Sequence, residues 1–143
     1  MHTPTSKKRV LILCTGNSAR SQMAEGLLRH DGGEAFEVYS AGTRASSVRP
    51  EAIQAMHEIG INITGHRSKS VEEFEGQEFD YVITVCDNAK ENCPIFPSKT
   101  KRIHQSFEDP PPPGARSTEE TMSIFRHVRD EIRVWMKGFI TTA

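Results

Sequence analysis

The sequence predicts an α/β protein with a four-stranded parallel sheet flanked by helices. Short apolar runs rich in β-branched residues alternate along the chain with amphipathic runs of helical period, which is typical of parallel sheets with right-handed crossovers. Cys14, Cys86 and Asp109 stand at or just beyond the ends of such apolar runs, where parallel sheets gather functional groups. The 143 residues fit a single domain, 1–143, with one core, and we expect residues 1–7 to be flexible.

The first half of the chain predicts two strands and two helices. Lys8–Cys14 is predicted to be a buried strand, and Phe36–Ser40 a second strand. Arg20–His30 is predicted to be a helix, and another helix begins at Pro50, which suits a first helical position, and ends before Gly60. The apolar residues at helical spacing are Met23, Ala24, Leu27 and Leu28 in the first helix, and Ile53, Met56 and Ile59 in the second.

The second half predicts two more strands and a long final helix. Val71–Phe74 is predicted to be a short helix, and Tyr81–Val85 and Arg102–Phe107 are the third and fourth strands. Ser117 and Glu120 form a capping box that begins the final helix. Its apolar stripe consists of Phe125, Val128, Ile132, Trp135 and Phe139.

Composition excludes several classes of function. The formal net charge is −1 without a basic stripe, so no nucleic acid partner is expected. Met1–Lys8 is polar and the apolar run after it is short, so we expect a cytoplasmic monomer without a membrane segment. Three cysteines, an odd number, indicate reactive thiols. Cys86 and Cys93 are spaced too widely for a zinc pair, and His66 and His104 are interpreted as a packing or loop residue and a strand residue, so no metal site is predicted.

The segment Cys14–Ser21, here termed the anion loop, joins the first strand to the first helix. Its N–H groups are predicted to cradle a tetrahedral oxyanion, and Arg20 to clamp two of the oxygens. The same field is expected to lower the pKa of the Cys14 thiol. Gly16 and Asn17 are expected to supply positive φ angles. The predicted oxyanion-binding residues are Thr15, Gly16, Asn17, Ser18, Ala19, Arg20 and Ser21.

Two simpler interpretations of the anion loop were weighed. An isolated Cys-x5-Arg pattern is usually a buried cysteine that closes a strand, followed by a solvated arginine. The position between a strand and a helix favours the cradle instead. A nucleotide-binding loop needs a Gly-Lys-Ser/Thr end, which this segment lacks.

Several motifs together resemble one enzyme family. They are Cys14–Ser21, Ser40–Thr43, Val85–Asp87, Cys93-Pro94 and Glu108–Pro110. With these motifs the chain resembles the thioredoxin-coupled arsenate reductases from Val10 to its final helix. The resemblance implies the three-layer fold of the low-molecular-weight phosphotyrosine phosphatases.

The resemblance also implies residue roles. Cys14 is the nucleophile that attacks arsenate, and Cys86 and then Cys93 resolve the adduct as disulfides. Asp109 gives a proton to the leaving oxygen, and Ser21 hydrogen-bonds the Cys14 thiolate. The resemblance implies no bound cofactor. It implies thioredoxin as the partner and reductant, which thioredoxin reductase reduces again with NADPH. Phosphate and sulfate, tetrahedral like arsenate, are expected to compete for the site.

The residues themselves support three of these roles. Asp109 precedes four prolines that stiffen its loop, and Cys86 ends a strand expected beside the first. Cys93 lies in the polar, turn-rich stretch 87–97. A helix there separates the Cα atoms of Cys86 and Cys93 by roughly 10.5 Å, whereas a disulfide spans about 4.4–6.8 Å. We therefore predict that 87–97 is helical or partly ordered when reduced and looped out when this disulfide forms.

Two other functions would use part of the same machinery. A phosphatase of this fold needs Cys14, Arg20 and Asp109 and leaves the other two cysteines unexplained. A binding module that holds an oxyanion without catalysis would not need Cys14, Arg20 and Asp109 together. Pro111–Pro113 replaces the tyrosines that follow Asp-Pro in the phosphatases, which predicts poor phosphotyrosine hydrolysis.

A last expectation concerns potassium, which some thioredoxin-coupled members bind near the anion loop. Asn17, Glu25 and Ser40 match that site. Lys69 stands where the resemblance places an acidic residue. We therefore expect the ammonium group to take the place of the ion.

Overall fold

The computed structural model describes residues 7–87 and 99–143 and confirms the predicted fold class, with four parallel strands in one sheet. The strand order is β2-β1-β3-β4. In chain order, the strands and α-helices of these residues are β1 (Lys8–Cys14), α1 (Arg20–Gly32), β2 (Phe36–Gly42), α2 (Pro50–His57), β3 (Tyr81–Thr84), β4 (Lys101–His104) and α3 (Thr118–Thr142).

The predicted short helix Val71–Phe74 is present as a 3₁₀ helix. The strands differ at their ends: β2 extends to Gly42, beyond Ser40, β3 ends at Thr84, before Val85, and β4 begins at Lys101 and ends at His104, before Phe107. The amides of Gln105 and Phe107 still donate to carbonyls at the end of β3. The Phe107 carbonyl accepts a hydrogen bond from Arg20 at 3.1 Å, so the chain leaves the sheet toward the anion loop.

The sheet buries both of its faces. Side chains alternate along β2, because successive residues of a strand point to opposite faces. Phe36 packs on Phe139 of α3 with ring centroids 5.7 Å apart. On the other face, Tyr39 packs on Phe74 and Phe79 at 5.5 and 6.0 Å. The three helices α1, α2 and α3 contact one another.

The final helix follows its predicted pattern. The Ser117 hydroxyl accepts a hydrogen bond from the Glu120 amide at 3.2 Å, as the capping box requires. Of the predicted stripe, Phe125, Val128, Ile132 and Phe139 are buried and Trp135 is half-buried. Neither this helix nor any other in the described part of the chain is long and apolar enough to cross a bilayer.

The register of the sheet brings the predicted site residues to one edge. β1 runs parallel to β3 with Leu13 opposite Thr84. Cys14 is the next residue of β1, and Cys86 follows β3 after one intervening residue. Because parallel strands end at the same edge, both thiols lie where the anion loop begins.

Gly42, at the end of β2, is predicted to be intolerant of a side chain. An added Cβ would lie 2.6 Å from the Thr15 carbonyl oxygen and 2.9 Å from the Asn17 nitrogen, both backbone atoms. We expect Gly42→Ala to lower the free energy of unfolding by about 1–3 kcal/mol, measured by urea denaturation.

Gly138→Ala is the matched control, because its Cβ meets nothing within 4 Å and it lies inside α3. This variant should gain roughly 0.5–1 kcal/mol. Equal stabilities for the two variants would contradict the close approach of β2 to the anion loop.

Candidate active site

The anion loop contains one left-handed residue. Asn17 has φ 48°, as predicted. Gly16 is not among the positive-φ residues, so that expectation is wrong. A Cβ at Gly16 would lie 3.2 Å from Ser46 Oγ and 3.3 Å from Ser18 Oγ, so crowding explains the glycine better than backbone rotation does.

The segment after β2 holds the anion loop by its carbonyls. Amides of residues 43–49 donate to the carbonyls of Cys14, Thr15, Gly16 and Ser18 at 2.8–3.2 Å. The N–H of a trans peptide points opposite to its carbonyl. The loop N–H groups are therefore directed away from residues 43–49, toward the space that the predicted oxyanion would fill.

The Asn17 side chain is a fully buried hydrogen-bonding centre. Its Nδ2 donates to the hydroxyls of Ser21 and Ser40 at 2.8 and 2.9 Å. Its Oδ1 accepts from Gln22 Nε2 at 3.0 Å and from the Lys69 amide at 2.8 Å. These four bonds stabilise the left-handed turn, which an asparagine tolerates better than most residues. The predicted bond from Ser21 to Cys14 is not present among the described residues.

A buried carboxylate lies behind this centre. Glu25 accepts a hydrogen bond from Ser40 at 2.5 Å. Three basic groups surround it: Arg29 at 2.8 Å, His66 at 3.5 Å and Lys69 at 3.9 Å. The Lys69 ammonium also donates to the Arg67 carbonyl at 3.0 Å. Of the three residues matched to the potassium site, Glu25 is 3.9 Å from the Lys69 ammonium, and Ser40 links Glu25 to Asn17 by hydrogen bonds.

The two described cysteines are both buried, with Cys14 3 % and Cys86 4 % exposed, and they lie close enough for the Cys86 thiol to shift the pKa of Cys14. Thr15 Oγ1 is also 3.2 Å from Cys86 Sγ. The hydrogen bond with Cys86 and burial raise the pKa of Cys14, while Arg20 acts to lower it. The expected low pKa of Cys14 is therefore wrong for this arrangement, because a thiol partner and desolvation outweigh the arginine.

Arg20 links the anion loop to the segment Phe107–Pro113, here termed the proline loop. One guanidinium nitrogen donates to the Phe107 carbonyl at 3.1 Å, and the other lies 3.3 Å from Asp109 Oδ1. The Arg20 side chain is 10 % exposed and that of Asp109 is 77 % exposed. The predicted arginine and aspartate therefore face each other at the mouth of the cradle, with the carboxylate accessible.

Sequence analysis missed two polar residues near the site. Gln22 is buried and bridges Asn17, the Arg67 carbonyl and His66. Its position as a polar residue in the first turn of a predicted helix was the sequence signal that could have identified Gln22. Arg49, discussed below, carried no sequence signal.

The two histidines lie where the sequence predicted, and the third cysteine is outside the described residues. His66 lies in a loop and His104 at the end of β4, as interpreted. Cys93 and most of the predicted 87–97 switch lie outside the described residues.

Comparison with known proteins identifies related chains. Residues 9–142 match the model of the family described as low molecular weight phosphotyrosine protein phosphatase. An arsenate reductase of Oceanobacillus iheyensis is 45 % identical over 138 residues, covering 96 % of this chain and 98 % of that protein. The solved structure of an arsenate reductase in the phosphate-binding state is 34 % identical, with a TM-score of 0.73, covering 94 % of this chain and 98 % of that one.

A third relative is a thioredoxin-dependent arsenate reductase of Corynebacterium glutamicum. Its solved structure is 28 % identical to this chain, with a TM-score of 0.69. The match covers 99 % of this chain and 66 % of that one.

Removal of the Cys86 thiol should lower the pKa of Cys14. In Cys86→Ala the largest cause of the raised pKa is gone, while Arg20 remains. The pH midpoint for alkylation of Cys14 by iodoacetamide, followed by peptide mass spectrometry, should therefore shift to lower pH. Val85→Ala, at the adjacent buried position, controls for repacking. An unchanged midpoint in Cys86→Ala would contradict the thiol contact.

Lys69 should make the protein indifferent to the choice of alkali ion. We expect equal melting temperatures in potassium and sodium chloride, because an ammonium already lies beside Glu25. Lys69→Asp should make the melting temperature higher in potassium than in sodium. Lys99→Asp, at an exposed lysine paired with Glu78, is the control and should show no ion preference. A potassium-specific rise in the unsubstituted protein would refute this role of Lys69.

Proposed function

This chain belongs to the low molecular weight phosphotyrosine protein phosphatase family, and we propose that within it the protein reduces arsenate to arsenite. The position of Cys86 beside Cys14 carries the proposal, since Cys86 Sγ lies 3.2 Å from the hydroxyl of Thr15, the residue after Cys14. Hydrolysis of a phosphate ester needs one thiol in the cradle. A second thiol in contact with the first is what reduction requires, because two thiols supply two electrons when they form a disulfide.

The first step is attack on bound arsenate. The loop N–H groups and the Arg20 guanidinium hold the oxyanion, and the Cys14 thiolate attacks arsenic. A sulfur–arsenic bond forms and an arsenate oxygen leaves. Asp109, 3.3 Å from Arg20 and accessible, is placed to give that oxygen its proton, so that it departs as water.

The second step reduces arsenic. The Cys86 thiolate attacks the Cys14 sulfur, and the sulfur–sulfur bond forms as the sulfur–arsenic bond breaks. The bonding electron pair goes to arsenic, which changes from As(V) to As(III) and leaves as arsenite. Cys86 raises the pKa of Cys14 in the resting pair, so the Cys14 thiolate forms more readily when Cys86 is farther away.

Regeneration uses Cys93 and an external dithiol. The Cys93 thiolate attacks Cys86, releases Cys14 as a thiolate and leaves a Cys86–Cys93 disulfide. Thioredoxin then reduces the Cys86–Cys93 disulfide by two exchange steps and becomes oxidised itself. Thioredoxin reductase reduces thioredoxin again with electrons from NADPH. A relative of 28 % identity is named thioredoxin-dependent, which supports this choice of reductant. We propose that the protein is cytoplasmic, because the cytoplasm keeps thiols reduced. We also propose that it acts as a monomer.

Phosphate ester hydrolysis is the second candidate. The Arg20–Asp109 pair and the cradle suit a phosphoryl group as well as an arsenate. In place of an aromatic wall, Pro111–Pro113 flanks the mouth. We therefore propose slow hydrolysis of small esters through a Cys14 phospho-enzyme, and competition by phosphate and sulfate for the arsenate site.

The division of labour among the thiols tests the proposal. Arsenate-dependent NADPH oxidation with thioredoxin and its reductase should occur in the unsubstituted protein. Cys14→Ser should abolish both this activity and 4-nitrophenyl phosphate hydrolysis. Cys86→Ser should abolish reduction and retain hydrolysis, because only the first thiol contacts the ester. Cys93→Ser should complete one turnover and accumulate a Cys14–Cys86 disulfide.

Multiple turnovers by Cys93→Ser with thioredoxin as the sole reductant would contradict the relay. Hydrolysis without any arsenate-dependent NADPH loss in the unsubstituted protein would favour the phosphatase instead.

A further inference from the structure

We propose that Arg49 is a positioning residue that holds the proline loop, and with it Asp109, against the anion loop while Arg20 binds the oxyanion. The inference rests on the proposed function for the identity of the oxyanion. It assigns a role to a residue outside the cradle that the sequence motifs did not include.

The backbone of Arg49 is fixed to the anion loop. Its amide donates to the Ser18 carbonyl at 2.9 Å. Arg49 also precedes α2, whose first residue is Pro50. An arginine at this position therefore moves with the anion loop, and its side chain extends from that fixed point.

The side chain reaches across to the proline loop. Nη1 donates to the Pro111 carbonyl at 2.8 Å, and Nη2 donates to Glu51 at 3.0 Å. The guanidinium carbon lies 4.9 Å from the centre of the Phe125 ring, so α3 supports it from one side. The side chain is 13 % exposed, which makes its bond to Pro111 stronger than a surface contact of the same length.

One donor of this guanidinium is left without a partner. Nε of Arg49 is buried and makes no hydrogen bond within the described part of the chain. An unsatisfied buried donor costs stability. The Arg49 guanidinium keeps the orientation that bonds to Pro111 even though Nε then has no partner among the described residues. This favours a role for Arg49 in positioning the proline loop.

The prolines transmit this anchor to Asp109. Pro110 and Pro111 have φ fixed by their rings, and Pro110 is buried. Two stiff residues therefore join the anchored Pro111 carbonyl to the aspartate. A fixed Pro111 carbonyl therefore limits the positions open to the Asp109 backbone, although the Asp109 carboxylate itself is exposed.

Arg20 cannot hold the proline loop and the oxyanion equally well. Its contacts to Phe107 and Asp109 use both terminal nitrogens. A bidentate grip on an oxyanion needs donors from the same fork. When Arg20 turns to the oxyanion, Arg49 becomes the remaining arginine anchor of the loop among the described residues.

Hydrogen exchange tests the anchor without reference to activity. Arg49→Met keeps the aliphatic stem and removes the fork. We expect at least fivefold faster exchange of the Phe107 amide, which donates to the Val85 carbonyl at 3.1 Å. Arg116→Met is the matched control, because Arg116 lies beyond the proline loop and its guanidinium contacts Glu120 at 3.7 Å. It should leave the exchange of this amide unchanged.

A double-mutant cycle tests the link to Asp109. The measured rate is formation of the Cys14–Cys86 disulfide in a single turnover with arsenate. Arg49→Met should slow it about tenfold in the native background and less than twofold in Asp109→Asn, since the carboxylate it positions is then absent. Phosphate affinity should change less than twofold.

Unchanged exchange in Arg49→Met, or an equal loss of rate in both backgrounds, overturns the inference. Absence of arsenate-dependent disulfide in the unsubstituted protein instead defeats the proposed function, and exchange still decides whether Arg49 holds the loop. Should Arg49→Met not fold, Arg49→Lys, which retains the charge and loses the fork, takes its place in both measurements.

Discussion

The parallel pairing of β1 with β3 is the constraint on which the site depends. With Leu13 opposite Thr84, the two strands bring Cys14 and Cys86 to the same edge of the sheet, where Cys86 Sγ lies 3.2 Å from the hydroxyl of Thr15. A slip of one residue would turn the side chains of either strand to the opposite face. Leu11 and Ile12 are fully buried on opposite faces of the central strand, so the strand that ends at Cys14 is covered on both sides.

Buried polar groups then shape the anion loop around the first thiol. Asn17 holds the left-handed turn through four hydrogen bonds, and Glu25 with its three basic neighbours lies behind it. Burial of a lone carboxylate would be costly, and the positive charges of Arg29 and Lys69, together with the hydrogen bond from Ser40, offset that cost. Lys69 contributes both its backbone amide and its ammonium, so the loop and the charge cluster behave as one unit. The arginines on the open side have a different task, because they connect this rigid loop to the chain that carries Asp109.

Local pattern was sufficient for most of the fold and for the position of the anion loop between β1 and α1. The strand ending at Cys14, the capped final helix and the positive φ of Asn17 follow from residue type and spacing, which are properties of neighbouring residues. Contacts between distant residues were less accessible. The pKa of Cys14 was predicted in the wrong direction because it depends on a thiol that is 72 positions away and on burial. The hydrogen bonds of Arg20 to Phe107 and of Arg49 to Pro111 likewise join residues far apart in the sequence.

The central claim is that the two contacting thiols supply the electrons for the reduction of arsenate. The most direct measurement omits every external reductant and gives the fully reduced protein one equivalent of arsenate. Arsenite is then quantified by arsenic speciation, and disulfides are mapped by peptide mass spectrometry. We expect one arsenite for each disulfide formed, with Cys14–Cys86 as the first disulfide to appear in a rapid-quench time course. Arsenite released without any disulfide that includes Cys86, or no arsenite at all, would contradict the claim.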